Sequence, residues 1–233
     1  MAKKFPPGPC VHCLEWVDEP TSDHVFPQSW YPDSTPQNLE KWQMPSCRRC
    51  NGEYGKLEED LLYRMSLCLS NDEHESLGLG TRLLRALDPT RGRNPKDERI
   101  RFRKLQRLLR ESHVPDGSRP IVQVSKNSSG QAIPIKVGDL ERVGEKIVRG
   151  MIFLHLGQIV GPEDEVFCNA LPRPEPAFDA LVNRFGSVHE RGPGIRVEWA
   201  KTPEKPIYGA FRITLFGQYQ LRGGVLPRNY HQP

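Results

Sequence analysis

The chain has 233 residues, with 33 Lys and Arg against 29 Asp and Glu and a formal net charge of +4. This length suits one sizeable domain or two small ones, and a hydrophobic content of 36% is enough for a core. The small positive charge gives only mild support to a polyanionic partner. No apolar run approaches the ~20 residues that a membrane-spanning helix needs, and the N-terminus lacks the apolar segment of a secretory signal. We therefore expect a cytoplasmic protein with no membrane partner.

Helices are predicted where apolar residues recur at helical spacing. They cover residues 56–65, 81–87, 96–112 and 139–156. Strands are predicted where apolar and polar residues alternate. They cover residues 121–124, 132–137 and 195–199 and parts of 208–216 and 219–225. A stiff Pro-rich connector is predicted at residues 172–176.

The order of these elements predicts an α+β fold in three parts. Residues 1–70 form a first domain that is poor in apolar residues. Residues 71–117 form a helical connector, and residues 118–233 a mixed domain of helices and antiparallel sheet. We expect the last part to bind a substrate, a protein partner or a second copy of the chain.

Four of the six cysteines form two Cys-x2-Cys pairs, Cys10 with Cys13 and Cys47 with Cys50. In a reducing compartment such pairs indicate a structural zinc site, with a reduced core or a redox pair as the alternative. His12 could replace one ligand, although four thiolates already complete a tetrahedral shell. Because zinc supplies much of the folding free energy of small segments, we expect chelation to unfold this part of the chain.

Basic residues are concentrated between residues 91 and 110, which contain nine Lys or Arg residues and only two acidic residues. A solvated helix face explains such a cluster as well as contacts with nucleic-acid phosphates do. If phosphates are bound, the candidate residues are Arg99, Arg103, Lys104, Arg107 and Arg110.

Between and after the cysteine pairs lie Asp23-His24-Val25-Phe26-Pro27, Asn38-Leu39, Asn51 and Lys56, in that order. With the cysteines, this ordered set resembles the HNH endonuclease family, and the resemblance covers residues 10–65, about a quarter of the chain. It implies a zinc-stapled ββα-metal nuclease module at the N-terminus. The last motif position of the family is often His, whereas Asn51 makes this chain an HNN variant, a form also found among active members.

The residue types suit phosphodiester hydrolysis, which needs a nucleophilic water, stabilisation of phosphate charge and protonation of the leaving oxygen. His24 is the candidate general base because a neutral imidazole can take a proton near pH 7. Asp23 and Asn51 are candidate ligands for a catalytic Mg²⁺ or Mn²⁺, since hard cations prefer oxygen donors. Adjacent strand residues face opposite ways, so the resemblance implies a distorted strand end at Asp23 and His24.

The remaining assignments concern positioning and binding. Asn38 is expected to orient His24, and Arg48, Arg49 and Lys56 are candidates for contacts with backbone phosphates. Asn51 could instead cap the helix that follows it. The alternative for Asp23 and His24 is a turn of a noncatalytic treble-clef zinc module.

These features predict a divalent-metal-dependent endonuclease acting on DNA, most simply double-stranded DNA, with products that by resemblance carry 5′-phosphate and 3′-hydroxyl ends. The first alternative is a noncatalytic zinc-dependent protein that binds nucleic acid or acts as an adaptor. A second alternative is a protein-interaction factor that uses the C-terminal sheet.

Overall fold

The structure is a computed structural model that describes residues 3–70, 72–111, 135–170 and 175–228. Within these ranges the chain forms five α-helices and nine strands, and all strand pairs are antiparallel. The hairpin predicted at residues 121–124 and 132–137 lies outside the described residues except for its last three positions, and so does most of the connector predicted at 172–176. No described helix is both long and apolar enough to cross a membrane.

The helices agree closely with the periodicity of the sequence. They are α1 Arg48–Ser66, α2 Leu79–Leu87, α3 Pro95–Glu111, α4 Val137–Leu156 and α5 Pro176–Phe185. The four predicted helices are confirmed, but α1 begins well before the apolar pattern. Its N-cap is Cys47, whose Sγ accepts a hydrogen bond from the amide of Cys50. Helix α5 was not predicted; Pro176 is its first residue, a position that proline tolerates.

Two short sheets lie in the first 50 residues and one larger sheet near the C-terminus. The short pairs are β1 Gly8–Pro9 with β2 Trp16–Val17, and β3 Thr21–His24 with β4 Gln43–Ser46. The larger sheet contains β5 Asp164–Asn169, β6 Ser187–Glu190, β7 Ile195–Lys201, β8 Gly209–Leu215 and β9 Tyr219–Pro227. Its order is β5-β9-β8-β7-β6, so the three predicted C-terminal strands form the centre and two unpredicted strands form the edges.

Helix α4 connects the N-terminal elements with this sheet. It contacts α1 and β4 on one side and β5 and β9 on the other. At Gly150 the helix lies so close to Val25, the residue after β3, that an added Cβ would be 2.5 Å from Val25 Cγ2. Buried residues from both halves, such as Trp30 and Trp199, belong to one apolar core. The division of the chain at residues 70 and 117 remains a prediction.

Candidate metal centre and the pocket beside it

The four paired cysteines come together at the N-terminal end of α1. Their Sγ atoms all lie within 4.8 Å of one another, and those of Cys13 and Cys47 are 3.8 Å apart. A tetrahedral zinc site with Zn–S bonds of about 2.3 Å requires sulfur–sulfur distances of about 3.8 Å. The donor set therefore fits a structural zinc ion, and these residues form a possible metal-binding site.

The local backbone prepares the sulfur of Cys10 for metal binding. The β1–β2 hairpin brackets the first pair, and the first turn of α1 carries the second. The amides of His12 and Cys47 donate hydrogen bonds to Cys10 Sγ at 3.4 and 3.3 Å. Burial by itself would raise the pKa of Cys10, but backbone amides outweigh it and lower the pKa to about 7. A thiol of this kind loses its proton readily to a metal ion.

Strands β3 and β4 and helix α1 form a ββα unit beside the cysteines. Asp23 pairs with Met44 and His24 with Gln43 in regular antiparallel register, so the distortion expected at this point is absent from the pairing. In a regular strand these adjacent side chains face opposite sides of the hairpin. The two motif residues therefore lie in different surroundings.

Asp23 faces the interior and is only 4% exposed. Its Oδ2 lies 3.0 Å from His12 Nε2, and its Oδ1 accepts a hydrogen bond of 2.7 Å from Lys146 Nζ on α4. Burial tends to raise the pKa of Asp23, but His12 and Lys146 together outweigh it and lower the pKa. Both carboxylate oxygens are thus engaged, and the residues present do not fit a divalent ion at Asp23.

His24 lies on the other side, half-buried, in an open polar pocket of about 570 Å³. Asn38, Lys41 and Gln43 also line this pocket. Burial lowers the pKa of His24, and the positive charges of Lys146 and Lys41 lower it further against the opposing effect of Asp23. The imidazole is therefore neutral near pH 7 and open to a bound molecule.

Gln43 fixes the hydrogen-bonding state of His24. Its Oε1 accepts hydrogen bonds of 2.8 Å from Ser22 Oγ and from the amide of Lys3. The carboxamide nitrogen then points towards His24 Nε2 at 3.3 Å, so this ring nitrogen is the acceptor and Nδ1 carries the proton. Gln43 has the kind of contact with His24 that we expected of Asn38.

The two asparagines of the motif lie apart. Asn38 belongs to the loop before β4 and lines the pocket of His24, although no hydrogen bond joins the two among the described residues. Asn51 lies in the first turns of α1, and its Nδ2 donates hydrogen bonds to Thr21 Oγ1 at 3.0 Å and to Ser22 O at 3.4 Å. It does not cap the helix, since Cys47 occupies that position. The structure thus brings Asn51 to the side of the hairpin that Asp23 faces, and Asn38 to the side of His24.

The basic residues predicted to contact phosphates fall into two groups. On α1, Arg48, Arg49 and Lys56 are exposed, and Arg49 pairs with Glu15 at 2.9 Å. On α3, Lys104 and Arg107 pair with Glu59 and Asp60 of α1. The other three are exposed and have no ion pair within the described part of the chain: Arg99, Arg103 and Arg110.

Sequence reasoning missed Lys41, Gln43, Glu58 and Lys146, which contact or surround the motif residues. Only Lys146 left a signal, because it lies among apolar residues on the inner side of a predicted helix. That position is unusual for a lysine without a buried partner. No local pattern identifies the partner, which is 123 residues away.

Comparisons with protein-family models, with curated proteins and with solved structures gave no match for this chain. The likeness to HNH endonucleases depends on the ordered motif within residues 10–65 and on the four-cysteine cluster.

Proposed function

We propose that the protein is an endonuclease that hydrolyses phosphodiester bonds of DNA, with His24 as the general base and a structural zinc ion on the four cysteines. One observation carries this proposal. A neutral imidazole lies beside Lys41 in an open polar pocket, on a hairpin adjoining the four-thiolate cluster. A cytoplasmic location agrees with the proposal, because zinc ligation needs reduced thiols and the six cysteines, all within the described residues, form no disulfide.

The pocket offers two groups that the reaction needs. His24 would accept a proton at Nε2 from a water molecule that replaces the contact from Gln43 at that nitrogen. The water would attack phosphorus as the bond to the leaving sugar oxygen breaks, and that oxygen would take its proton from solvent in the open pocket. Lys41 would stabilise the negative charge on the phosphate oxygens.

The surface beside His24 is an elongated polar groove. A second cavity, of about 270 Å³, shares Gln28, Gln37 and Lys41 with the pocket of His24 and continues to Arg82. A nucleic-acid backbone in this groove would pass Lys41 and Arg82, and it would compete with Asp33, which pairs with Arg82 at 3.3 Å. Contacts of basic side chains with phosphates position a backbone without reading its sequence. We propose this groove as the path of the substrate strand.

Dependence on Mg²⁺ or Mn²⁺ was expected through Asp23 and Asn51. Asp23 has no free carboxylate oxygen in this arrangement, so we assign no step to an ion bound there. The cleavage assay therefore compares reactions with Mg²⁺, with Mn²⁺ and without added divalent ion.

A noncatalytic nucleic-acid-binding or adaptor protein is the second candidate function. The observation that favours it is the pairing of Asp23 with Lys146, which removes the expected metal ligand. Such a protein would bind nucleic acid in a salt-dependent manner and cut nothing. Contacts with a protein partner or a second copy through the five-stranded sheet are compatible with either function.

The test uses zinc-loaded protein with supercoiled plasmid and linear DNA, in Mg²⁺, in Mn²⁺ and without added divalent ion. We expect cleavage by the wild type and a loss of about 10²- to 10⁴-fold in His24→Ala, the usual contribution of a general base. His74→Ala is the matched control, because His74 is an exposed histidine that does not line this pocket. Equal cleavage by His24→Ala and wild type would refute the assigned base, and binding without cleavage would favour the second candidate.

A further inference from the structure

Helix α4 inserts a fully buried lysine into the ββα unit. Lys146 is 0% exposed, and its ammonium group lies between two carboxylates from different elements. It donates to Asp23 Oδ1 of β3 at 2.7 Å and forms an ion pair with Glu58 of α1. A charge this deeply buried must be compensated by its partners, because water does not reach it.

Further groups complete the surroundings of the ammonium group. His12 Nε2 contacts the other oxygen of Asp23, and the ring of Tyr54 lies 5.3 Å from Lys146 Nζ. The ring of Tyr54 also packs against that of His12 in a tilted arrangement, with ring centroids 4.5 Å apart. Lys146 thus lies where two carboxylates, an imidazole and an aromatic face converge, which is a strongly cation-binding environment.

The lysine is held in this position by its helix. Close contacts such as that of Gly150 with Val25 and that of Gly144 with Cys168 fix α4 against both neighbouring sheets. An added Cβ at Gly144 would lie 2.2 Å from Cys168 Sγ, so the helix has no room to withdraw towards that sheet. A divalent ion could reach Asp23 only by competing with an ammonium group that the fold itself supplies.

We propose that the ammonium group of Lys146 is the resident cation of the Asp23–Glu58 pair and takes the place of a divalent ion there. Removal of this group frees the carboxylates of Asp23 and Glu58 for a divalent ion. Carboxylate oxygens are ligands of the kind that holds Mn²⁺ and similar ions. Lys146 holds this place whether or not the protein cuts nucleic acid. If it does, the reaction proceeds without an ion on Asp23.

The test measures Mn²⁺ binding to the full-length, zinc-loaded chain by the electron paramagnetic resonance signal of free Mn²⁺. Wild type and Asp23→Asn are expected to give the same titration, because Asp23 binds no Mn²⁺ while Lys146 is present. Lys146→Ala is expected to gain one Mn²⁺ per chain, and the double variant Lys146→Ala/Asp23→Asn to lose it. Lys136→Ala is the matched control, since Lys136 is an exposed lysine at the start of the same helix.

Two results would overturn the proposal: Mn²⁺ binding by the wild type that Asp23→Asn abolishes, or folded Lys146→Ala that gains no site. If Lys146→Ala does not fold, nuclear magnetic resonance of the wild type decides. A protected ammonium signal from Lys146 that persists in excess Mg²⁺ supports the proposal, and its loss on adding Mg²⁺ contradicts it. None of these measurements requires cleavage activity, so a failed nuclease assay and a failed metal proposal are distinguishable.

Discussion

Asp23 and His24 are neighbours in sequence, yet they occupy opposite surroundings. Asp23 is buried and ion-paired, and His24 is half-buried and opens to a pocket. The difference follows from strand geometry, since alternate side chains face opposite sides of a hairpin. At the scale of single residues, the strand register separates two side chains that are adjacent in the motif.

A pair of histidines near the C-terminal sheet provides a pH-dependent prediction. The rings of His189 and His155 lie 4.2 Å apart, close to Trp199. Burial lowers the pKa of His189 to about 4, with smaller contributions from His155 and Lys201. The unfolded state therefore binds more protons than the native state between pH ~6.5 and 4. We expect the contribution of His189 to the free energy of unfolding to fall as the pH falls through this window and to level off below it.

Denaturant unfolding of zinc-loaded wild type and His189→Gln at several pH values tests this expectation. The variant should lose less stability across the window because it lacks the titrating group. A direct nuclear magnetic resonance titration of His189 should give a midpoint near 4. A midpoint at the ordinary histidine value would contradict the buried surroundings described for this ring.

The cysteines were predictable at the residue scale and the buried lysine was not. Two Cys-x2-Cys pairs indicate a metal through spacing alone, and the cluster they predict is confirmed. The partners of Asp23 come from positions 12 and 146, and no local pattern connects them. The same holds for Gln43, which meets His24 only through cross-strand pairing.

Among the elements, α1 contributes to both the cysteine cluster and the buried charge cluster, since it bears Cys50, Asn51 and Glu58 and is capped by Cys47. It also contains Gly52 and Gly55, where an added Cβ would meet no atom within 4 Å. Glycine within a helix costs about 0.5–1 kcal/mol relative to alanine. We expect Gly52→Ala and Gly55→Ala each to raise the free energy of unfolding by about that amount.

Denaturant unfolding of the zinc-loaded variants measures this effect. Gly150→Ala is the matched control within a helix, because its Cβ would clash with Val25 and should lower stability. If Gly52→Ala and Gly55→Ala also lower stability, this face of α1 is not as open as described.

Helix α3 yields a prediction about nucleic-acid binding. Its outward residues Arg99, Arg103 and Arg110 are exposed and can contact phosphates, whereas Lys104 and Arg107 pair with α1. Replacing each of the first three by Gln should reduce the salt dependence of DNA binding by about one unit for every phosphate that the arginine neutralises. Fluorescence anisotropy with a labelled duplex at several salt concentrations measures this slope.

The two ion-paired residues, Lys104 and Arg107, provide the comparison on the same helix. Lys104→Gln and Arg107→Gln should change DNA binding less and should cost at most about 1 kcal/mol of stability each, as exposed ion pairs do. If the exposed arginines and the two ion-paired residues change the salt dependence of DNA binding equally, the ion pairs do not decide which basic side chains contact DNA.

Most helices and the central strands were predictable because each has its own periodicity. The start of α1 was not, since it depends on Cys47 as a cap and not on an apolar pattern. Strands β5 and β6 were missed because they are sheet edges that depend on β9 and β7 for their pairing. Helix α5 was missed because a Pro-rich sequence precedes it.

In the molecule as a whole, the unit formed by β3, β4 and α1 shares one apolar core with the C-terminal sheet, whereas the cysteines form a separate buried cluster. Helix α4 contributes Lys146 to the ββα unit and apolar residues, such as Val143 and Ile147, to the common core. The ββα unit therefore depends on two supports, the cysteine cluster at the start of α1 and helix α4, which packs against β4 and α1. Loss of either should loosen the hairpin that carries His24.

The central claim is that one zinc ion on four cysteines assembles the hairpin and helix around His24. Zinc analysis of the purified full-length chain, combined with hydrogen exchange before and after chelation, tests it most directly. We predict one zinc per chain, protected amides in β3, β4 and α1, and loss of that protection on chelation. A chain that binds no zinc, or whose protection in these elements survives metal removal, would contradict the claim.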